Sequence, residues 1–172
     1  NIGSVHGTDD NVGGIIGSMT NVTIAGETYN LGAVTGDKGN VGGIAGLAIN
    51  STIGDNDDFR IYNQLNVTGG YNVGGIVGSI DDTGGTTSSK IQNVANHGNV
   101  LAKDSIKTEI YEYHKYKNNA WQNDNENKIA YVANAGGIAG KVTGASNGSR
   151  ATIENVQNDG DVKTSAGEEK YE

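Results

Sequence analysis

The 172-residue chain contains no cysteine and no proline. Without cysteine there can be no disulfide, no thiolate metal site and no cysteine nucleophile. Aromatic residues make up 6% and apolar residues 34%, which argues against a single bulky core. No run approaches the ~18 apolar residues that would cross a membrane, and no signal peptide is visible. Basic residues are also few. With 12 Lys and Arg against 20 Asp and Glu, the net charge is −8. That speaks against phosphate-directed nucleic-acid binding and against anionic membrane surfaces, and it favours solubility.

Glycine is what the chain has instead, at 28 residues. It shows no three-residue period, so a collagen helix is excluded. It returns in one phrase: NVGGIIG at Asn11, NVGGIAG at Asn40, NVGGIVG at Asn72 and NAGGIAG at Asn134. The leading glycines of the core, Gly13, Gly42, Gly74 and Gly136, are spaced by 29, 32 and 62 residues. A second phrase, Asn-x-Gly-x-Val, begins at Asn1, Asn30, Asn96 and Asn158, with a degenerate copy at Asn63 in which Leu65 replaces glycine. The distance from its centre to the next glycine core is 10, 10 and 9 residues, then 38. The long interval is therefore an insertion of about 28 residues rather than a lost repeat. Four repeats follow, at about 6–34, 35–67, 68–100 and 132–162, with an insertion over 103–131.

Each repeat carries three short apolar phrases, the third being KIQNV at Lys90 and TIENV at Thr152. They are β-branched and bounded by Gly, Asn, Asp and Ser, which predicts strands. Three strands and three turns per repeat predict one triangular coil of a parallel β-helix, taken as right-handed by analogy with parallel crossovers. Coils stacked ~4.8 Å apart bring equivalent side chains into columns. Ile15, Ile44, Ile76 and Ile138 form one such column, and Val5, Val34, Val67, Val100 and Val162 another; both are expected inside. Within the phrase, glycine at 13, 14, 17, 42, 43, 46, 74, 75, 78, 136, 137 and 140 leaves room for isoleucine or lets a neighbouring backbone come close. Gly13, Gly14, Gly17, Gly42, Gly43, Gly46, Gly74, Gly75, Gly78, Gly136, Gly137 and Gly140 thus read as structural, with Gly42 and Gly46 on the Ile44 face of one flat side.

The Gly-Gly-Ile-x-Gly core, the Ile-x-Asn phrase and Asn-x-Gly-x-Val together resemble the GLUG repeat of bacterial surface and secreted proteins. The family is named for Gly-Leu-any-Gly, and all four copies here have isoleucine in the leucine position. The resemblance covers most of the chain outside the insertion. It implies an extracellular or cell-surface location and a non-catalytic accessory role, as in immunoglobulin-A-cleaving metallopeptidases and adhesin-like proteins. It transfers no catalytic residue and no cofactor. The partners it implies are flanking domains of a longer parent protein.

Motifs that carry chemistry are sparse. His6, His97 and His114 stand apart, with no His-Glu-x-x-His, and neither a Gly-x-Ser-x-Gly nor a Walker loop occurs. Asp55, Asp57 and Asp58 in GDNDDF form a weak calcium candidate that lacks the glycine and distal glutamate of a calcium loop. Paired carboxylates for glycoside cleavage have only fold analogy behind them. The insertion holds Tyr111, Tyr113, Tyr116, Trp121 and Tyr131 in a chain otherwise poor in aromatics. IKTEIYEYHKY alternates like a strand, NNAWQNDNEN reads as a turn or loop and KIAYVA as a returning strand, which predicts a β-hairpin; Tyr111, Tyr113, Tyr116 and Trp121 are the candidate binding surface for a host protein or glycan. The competing reading folds these rings back as a local mini-core. The expected function is a stalk, spacer or adhesion module. The alternatives are a recognition module centred on the insertion, or an accessory part of a metallopeptidase or carbohydrate-active enzyme.

Overall fold

A computed structural model of the chain describes residues 1–56, 59–85, 87–103, 106–110, 113–117, 120–124, 128–145 and 148–165, by backbone alone between 106 and 132. The described residues form strands, turns and bends and contain no helix. Four parallel sheets make up the body. The first joins Val5–Gly7, Val34–Gly36, Val67–Gly69, Val100–Ala102 and Val162–Thr164 in that order. The second joins Val12–Gly13, Val41–Gly42, Val73–Gly74 and Ala135–Gly136. The third joins Ile16–Thr20, Ala45–Ile49, Val77–Asp81 and Ala139–Thr143. In the fourth, Lys90–Asn96 lies between Thr152–Asn158 on one side and both Thr52–Ile53 and Ile61–Asn63 on the other, and these two pair in turn with Thr23–Ile24 and Thr28–Asn30.

The chain visits the sheets in the same cyclic order each time, so one circuit lies against the next. Parallel neighbours need a long connection between them. Here the remainder of the circuit provides it. Register is exact along the columns: Val5 pairs with Val34, Val34 with Val67, Val67 with Val100 and Val100 with Val162.

Asparagine makes most of the sharp corners. Asn11, Asn40 and Asn72 precede the second sheet with φ of 65°, 54° and 51°. Asn21 and Asn50 follow the third sheet at 55° and 47°, and Asn93 and Asn155 bend the long strands of the fourth at 52° and 47°. Asparagine enters this left-handed region more readily than other side chains because its short amide can bond locally.

The glycine phrase is not one flat side, as its spacing suggests. The chain bends at Gly43–Ile44, so the phrase divides between the second and third sheets, and the same bend recurs at Gly14–Ile15 and Gly75–Ile76. A circuit consequently has four sides rather than three. Alternation is interrupted at the bend, which is why Val41, Ile44 and Ala45 are all fully buried.

Two apolar clusters fill the interior. Valines dominate the first, between the first and second sheets: Val12, Val34, Val41, Val67, Val73 and Val100, with Ala102. Between the third and fourth sheets lies the larger one, which includes Met19, Ile44, Ile53, Ile61, Ile76, Ile80, Ile91 and Val94. Each fully buried isoleucine or valine contributes about 1.5–3 kcal/mol relative to exposure. The expected columns are inside only in the middle of the stack. Ile44, Ile76, Val34, Val67 and Val100 are buried and Val5 and Ile138 partly so, whereas Ile15 is 41% and Val162 40% exposed. These last two sit on the terminal circuits, where among the described residues no further strand covers them.

The insertion interrupts the path from the first sheet to the second. Ile106–Ile110 pairs antiparallel with Lys128–Val132, and Tyr113–Lys117 with Ala120–Asp124. These four strands pair only with one another.

Candidate functional site

A column of asparagines runs through the interior of the stack. Asn1 Nδ2 donates to Asn30 Oδ1 at 2.7 Å, Asn30 to Asn63 at 2.8 Å, Asn63 to Asn96 at 2.8 Å and Asn96 to Asn158 at 2.8 Å. Each Nδ2 also donates to the carbonyl two residues on: Gly3, Gly32, Leu65, Gly98 and Gly160, at 2.6–2.8 Å. The two amide protons of Asn30, Asn63 and Asn96 are thus both used, at positions with no exposure. A buried amide left unpaired would cost about 1–3 kcal/mol.

The middle glycine of the phrase exists for this column. A Cβ on Gly43 would stand 2.2 Å from the Gly75 carbonyl oxygen and 2.4 Å from Asn63 Cγ. Gly14, Gly75 and Gly137 meet Asn30, Asn96 and Asn158 in the same way. The last glycine of the phrase serves a different approach: a Cβ on Gly46 would lie 2.5 Å from the Asn11 carbonyl carbon, and Gly78 and Gly140 are equally tight against the backbone of a neighbouring circuit. The leading glycines 13, 42, 74 and 136 face the carbonyls of Ile16, Ala45, Val77 and Ala139.

A second asparagine column runs along the corner before the second sheet. Asn40 Nδ2 donates to Asn11 at 2.9 Å, Asn72 to Asn40 at 2.9 Å and Asn134 to Asn72 at 2.8 Å. Its donors point toward the first circuit, opposite in sense to the interior column.

On the outer surface, ring and charge contacts join successive circuits. Tyr29 and Tyr62 stack at 5.4 Å and 17°, and His97 lies 6.1 Å from Tyr62. His97 Nδ1 is 2.7 Å from Asp159 Oδ2, and His6 Nε2 is 3.0 Å from Asp37 Oδ1. Bonds from Gln157 and then His97 hold the Asp159 carboxyl below its usual range. The Lys38 ammonium, 2.8 Å away, does the same for Asp9. The Tyr71 hydroxyl donates to Asp10 at 2.9 Å, and its pKa is pushed up by burial and by that bond. These groups tie loops together across circuits.

Of the aromatic candidates, Tyr113 and Tyr116 lie on one strand of the outer hairpin and Trp121 on its partner, with Tyr116 directly opposite Trp121 in register. Tyr111 lies outside the described residues. The calcium candidate is divided likewise. Asp55 accepts a hydrogen bond from the Gly26 amide at 2.7 Å, while Asp57 and Asp58 are outside the described residues. Among the described residues, no group of three His, Asp or Glu is placed to hold a metal ion.

The asparagine columns are what residue-by-residue reading missed. Their signal was present: asparagine keeps its place at 1, 30, 63, 96 and 158, while the next residue changes from Ile to Leu, Gln, His and Asp. Comparison with family models, with curated proteins and with solved structures returned no match.

Proposed function

We propose that the chain is a parallel β-helix, a β-solenoid of the GLUG type, acting as a non-catalytic stalk, spacer or adhesion module of a secreted or cell-surface bacterial protein. The observation that carries this reading is the continuous interior asparagine column. Each circuit supplies one amide, both protons of the buried ones are engaged, and the glycine opposite is kept free of a side chain to admit them. Polar side chains spent on holding one layer to the next serve a rod rather than a reaction. Flanking domains of a parent protein are the first partners of such a rod.

A second reading is favoured by the insertion. Its strands pair only among themselves, and it gathers Tyr113, Tyr116 and Trp121 on one hairpin. Tyr and Trp give large contact area at low entropic cost. On this reading the rod presents the hairpin to a host protein or glycan.

One comparison tests both. The intact chain and a variant lacking residues 104–132 are screened against glycan and extracellular-matrix panels, with a glycan- and peptide-turnover assay run in parallel. Binding by the intact chain that is lost in the deletion supports presentation by the hairpin. Equal binding by both sinks that reading and leaves the spacer. Turnover abolished by changing one carboxylate to its amide overturns the non-catalytic reading.

A further inference from the structure

The outer hairpin divides the aromatic candidates between two faces. Successive residues of a strand alternate in face, and residues directly opposite across an antiparallel pair share one. Where Tyr113–Lys117 pairs with Ala120–Asp124, Tyr116 stands opposite Trp121 and His114 opposite Asn123. These four residues therefore share a face. The other face takes Tyr113 with Asp124, Lys115 with Gln122 and Lys117 with Ala120.

The chemistry separates with the faces. Lys115, Lys117 and Asp124 put two ammonium groups and a carboxylate on the face of Tyr113. The face of Tyr116 and Trp121 has neither ammonium nor carboxylate. It joins an aromatic pair to one imidazole and one amide.

We propose that the face of His114, Tyr116, Trp121 and Asn123 is a binding site for a neutral glycan. The site rests on the reading in which the rod presents the hairpin, and it gives that reading a ligand class.

The aromatic pair supplies the contact area. The face of an aromatic ring carries partial negative charge. A pyranose ring offers it a side made largely of C–H groups, which carry partial positive charge. Directly opposite residues have Cβ atoms about 4.5–5.5 Å apart, so the pair forms one patch comparable to a sugar ring. The pairing also holds the two strands together. The patch thus exists before the sugar arrives, and less order has to be imposed on binding.

The polar pair supplies direction. Residues two apart on a strand lie about 7 Å apart, which sets His114 and Asn123 at the border of the aromatic pair. A primary amide both donates and accepts, and so does an imidazole with one proton. Neighbouring sugar hydroxyls have the same double capacity.

Charge selects among glycans. An acidic sugar would find no cation on this face and would approach a chain of net charge −8. A neutral sugar meets neither obstacle. The inner ribbon has no comparable face, since its Tyr131 stands opposite Lys107 and its Ile129 opposite Glu109.

Trp121 is the only tryptophan of the chain, so its fluorescence reports from this face alone. Binding of neutral hexose and N-acetylhexosamine oligosaccharides, of sialylated and sulfated ones, and of matrix proteins is measured by calorimetry. The glycan titrations are repeated on Trp121 emission. The expected result is saturable binding of a neutral oligosaccharide with a matching change in emission. Tyr116→Ala should weaken it at least about fivefold, while Tyr113→Ala and Lys115→Ala stay within about twofold of the intact chain. His114→Ala and Asn123→Ala repeat the test if circular dichroism shows Tyr116→Ala misfolded. A Tyr113→Ala loss as large as that of Tyr116→Ala, or binding of acidic glycans or matrix proteins alone, overturns this site and leaves presentation by the hairpin standing. Neutral-glycan binding retained by the chain lacking residues 104–132, or no binding of any probe by the intact chain, overturns presentation and this site with it.

Discussion

The amide of Asn63 lies against Gly43, close enough that a methyl group on the glycine would stand 2.4 Å from Asn63 Cγ. One residue gives up its side chain so that another, 20 positions on, can reach the next circuit. Asn63 donates to Asn96 Oδ1 at 2.8 Å and to the Leu65 carbonyl at 2.6 Å.

Replacing the amide by a carboxylate removes both donors and keeps the shape. Asn63→Asp should lose about 3–5 kcal/mol at pH 7, the cost of an uncompensated buried charge. Burial favours the neutral acid and so raises its pKa in the folded state. The defect therefore grows as pH rises and shrinks as pH falls toward 4. Urea melts of wild type and variant at pH 7 and pH 5 give the comparison. A difference that does not narrow at the lower pH would show that the column is not what suffers.

The glycine side of the contact makes a sharper contrast. A Cβ on Gly75 would be 2.1 Å from the Gly137 carbonyl oxygen and 2.3 Å from Asn96 Cγ, while one on Gly84 meets nothing within 4 Å. Gly75→Val forces two circuits apart and should cost about 3 kcal/mol or more, near the upper end of overpacking penalties. For a chain of this size that lowers Tm by about 6–12 °C. Gly84→Ala should leave Tm unchanged or raise it by up to about 4 °C, since only the freedom of the unfolded chain is reduced. Differential scanning calorimetry of the pair separates close approach from a general intolerance of glycine replacement.

The valine column shows what was legible beforehand. Val34, Val67 and Val100 recur in phase with an asparagine four residues earlier, and β-branched residues between turn formers read as strands whatever lies around them. The bend at Gly43–Ile44 was not legible. Val-Gly-Gly-Ile-Ala-Gly has the same spacing whether straight or bent, and glycine permits both. Asn63 stood in plain view as the first letter of a phrase, yet its role depends on Asn30 and Asn96, over 30 residues away on either side. Exposure at Ile15 and Val162 was equally hidden, because a column pattern does not say which layers are terminal. Tyr113 and Tyr116 could be assigned to a strand from alternation, whereas NNAWQNDNEN reads as a turn because of its asparagines, and the pairing that makes a strand of Ala120–Asp124, with Trp121, lies outside that local signal.

Acid should weaken the stack at its surface ties. Asp9, Asp81 and Asp159 all titrate below their usual range, through Lys38, through the Thr83 hydroxyl and amide, and through Gln157 and His97 respectively. A depressed carboxylate stabilises above its unfolded pKa of about 3.8 and loses that contribution as pH falls through the folded value. Tyr71 and Lys38 are shifted upward, so their contributions hold below their unfolded values and are lost above pH 10. Stability followed by urea midpoints from pH 2 to 11 should form a plateau between about 5 and 9 and fall on both sides. Asp159→Asn should flatten the acid limb and leave the alkaline one unchanged.

Removing the hairpin should leave the stack standing. Elsewhere the first sheet passes to the second by short links, and between Val67–Gly69 and Val73–Gly74 the link is Gly70, Tyr71 and Asn72. Lys103 N–H donates to the Gly69 carbonyl just as Asp37 N–H donates to that of Gly7, and Asn134 bonds to Asn72 in the corner column. Deleting residues 104–132 therefore joins Lys103 to Ala133 and Asn134, a link of the same three-residue length that likewise ends in asparagine. Loop closure becomes easier as the connection shortens, by about 0.6 kcal/mol per halving. Tm of the deletion variant should equal or exceed that of the intact chain, with the β-sheet circular dichroism band retained. A large loss of stability would mean that the hairpin is packed against the sheets and belongs to their core.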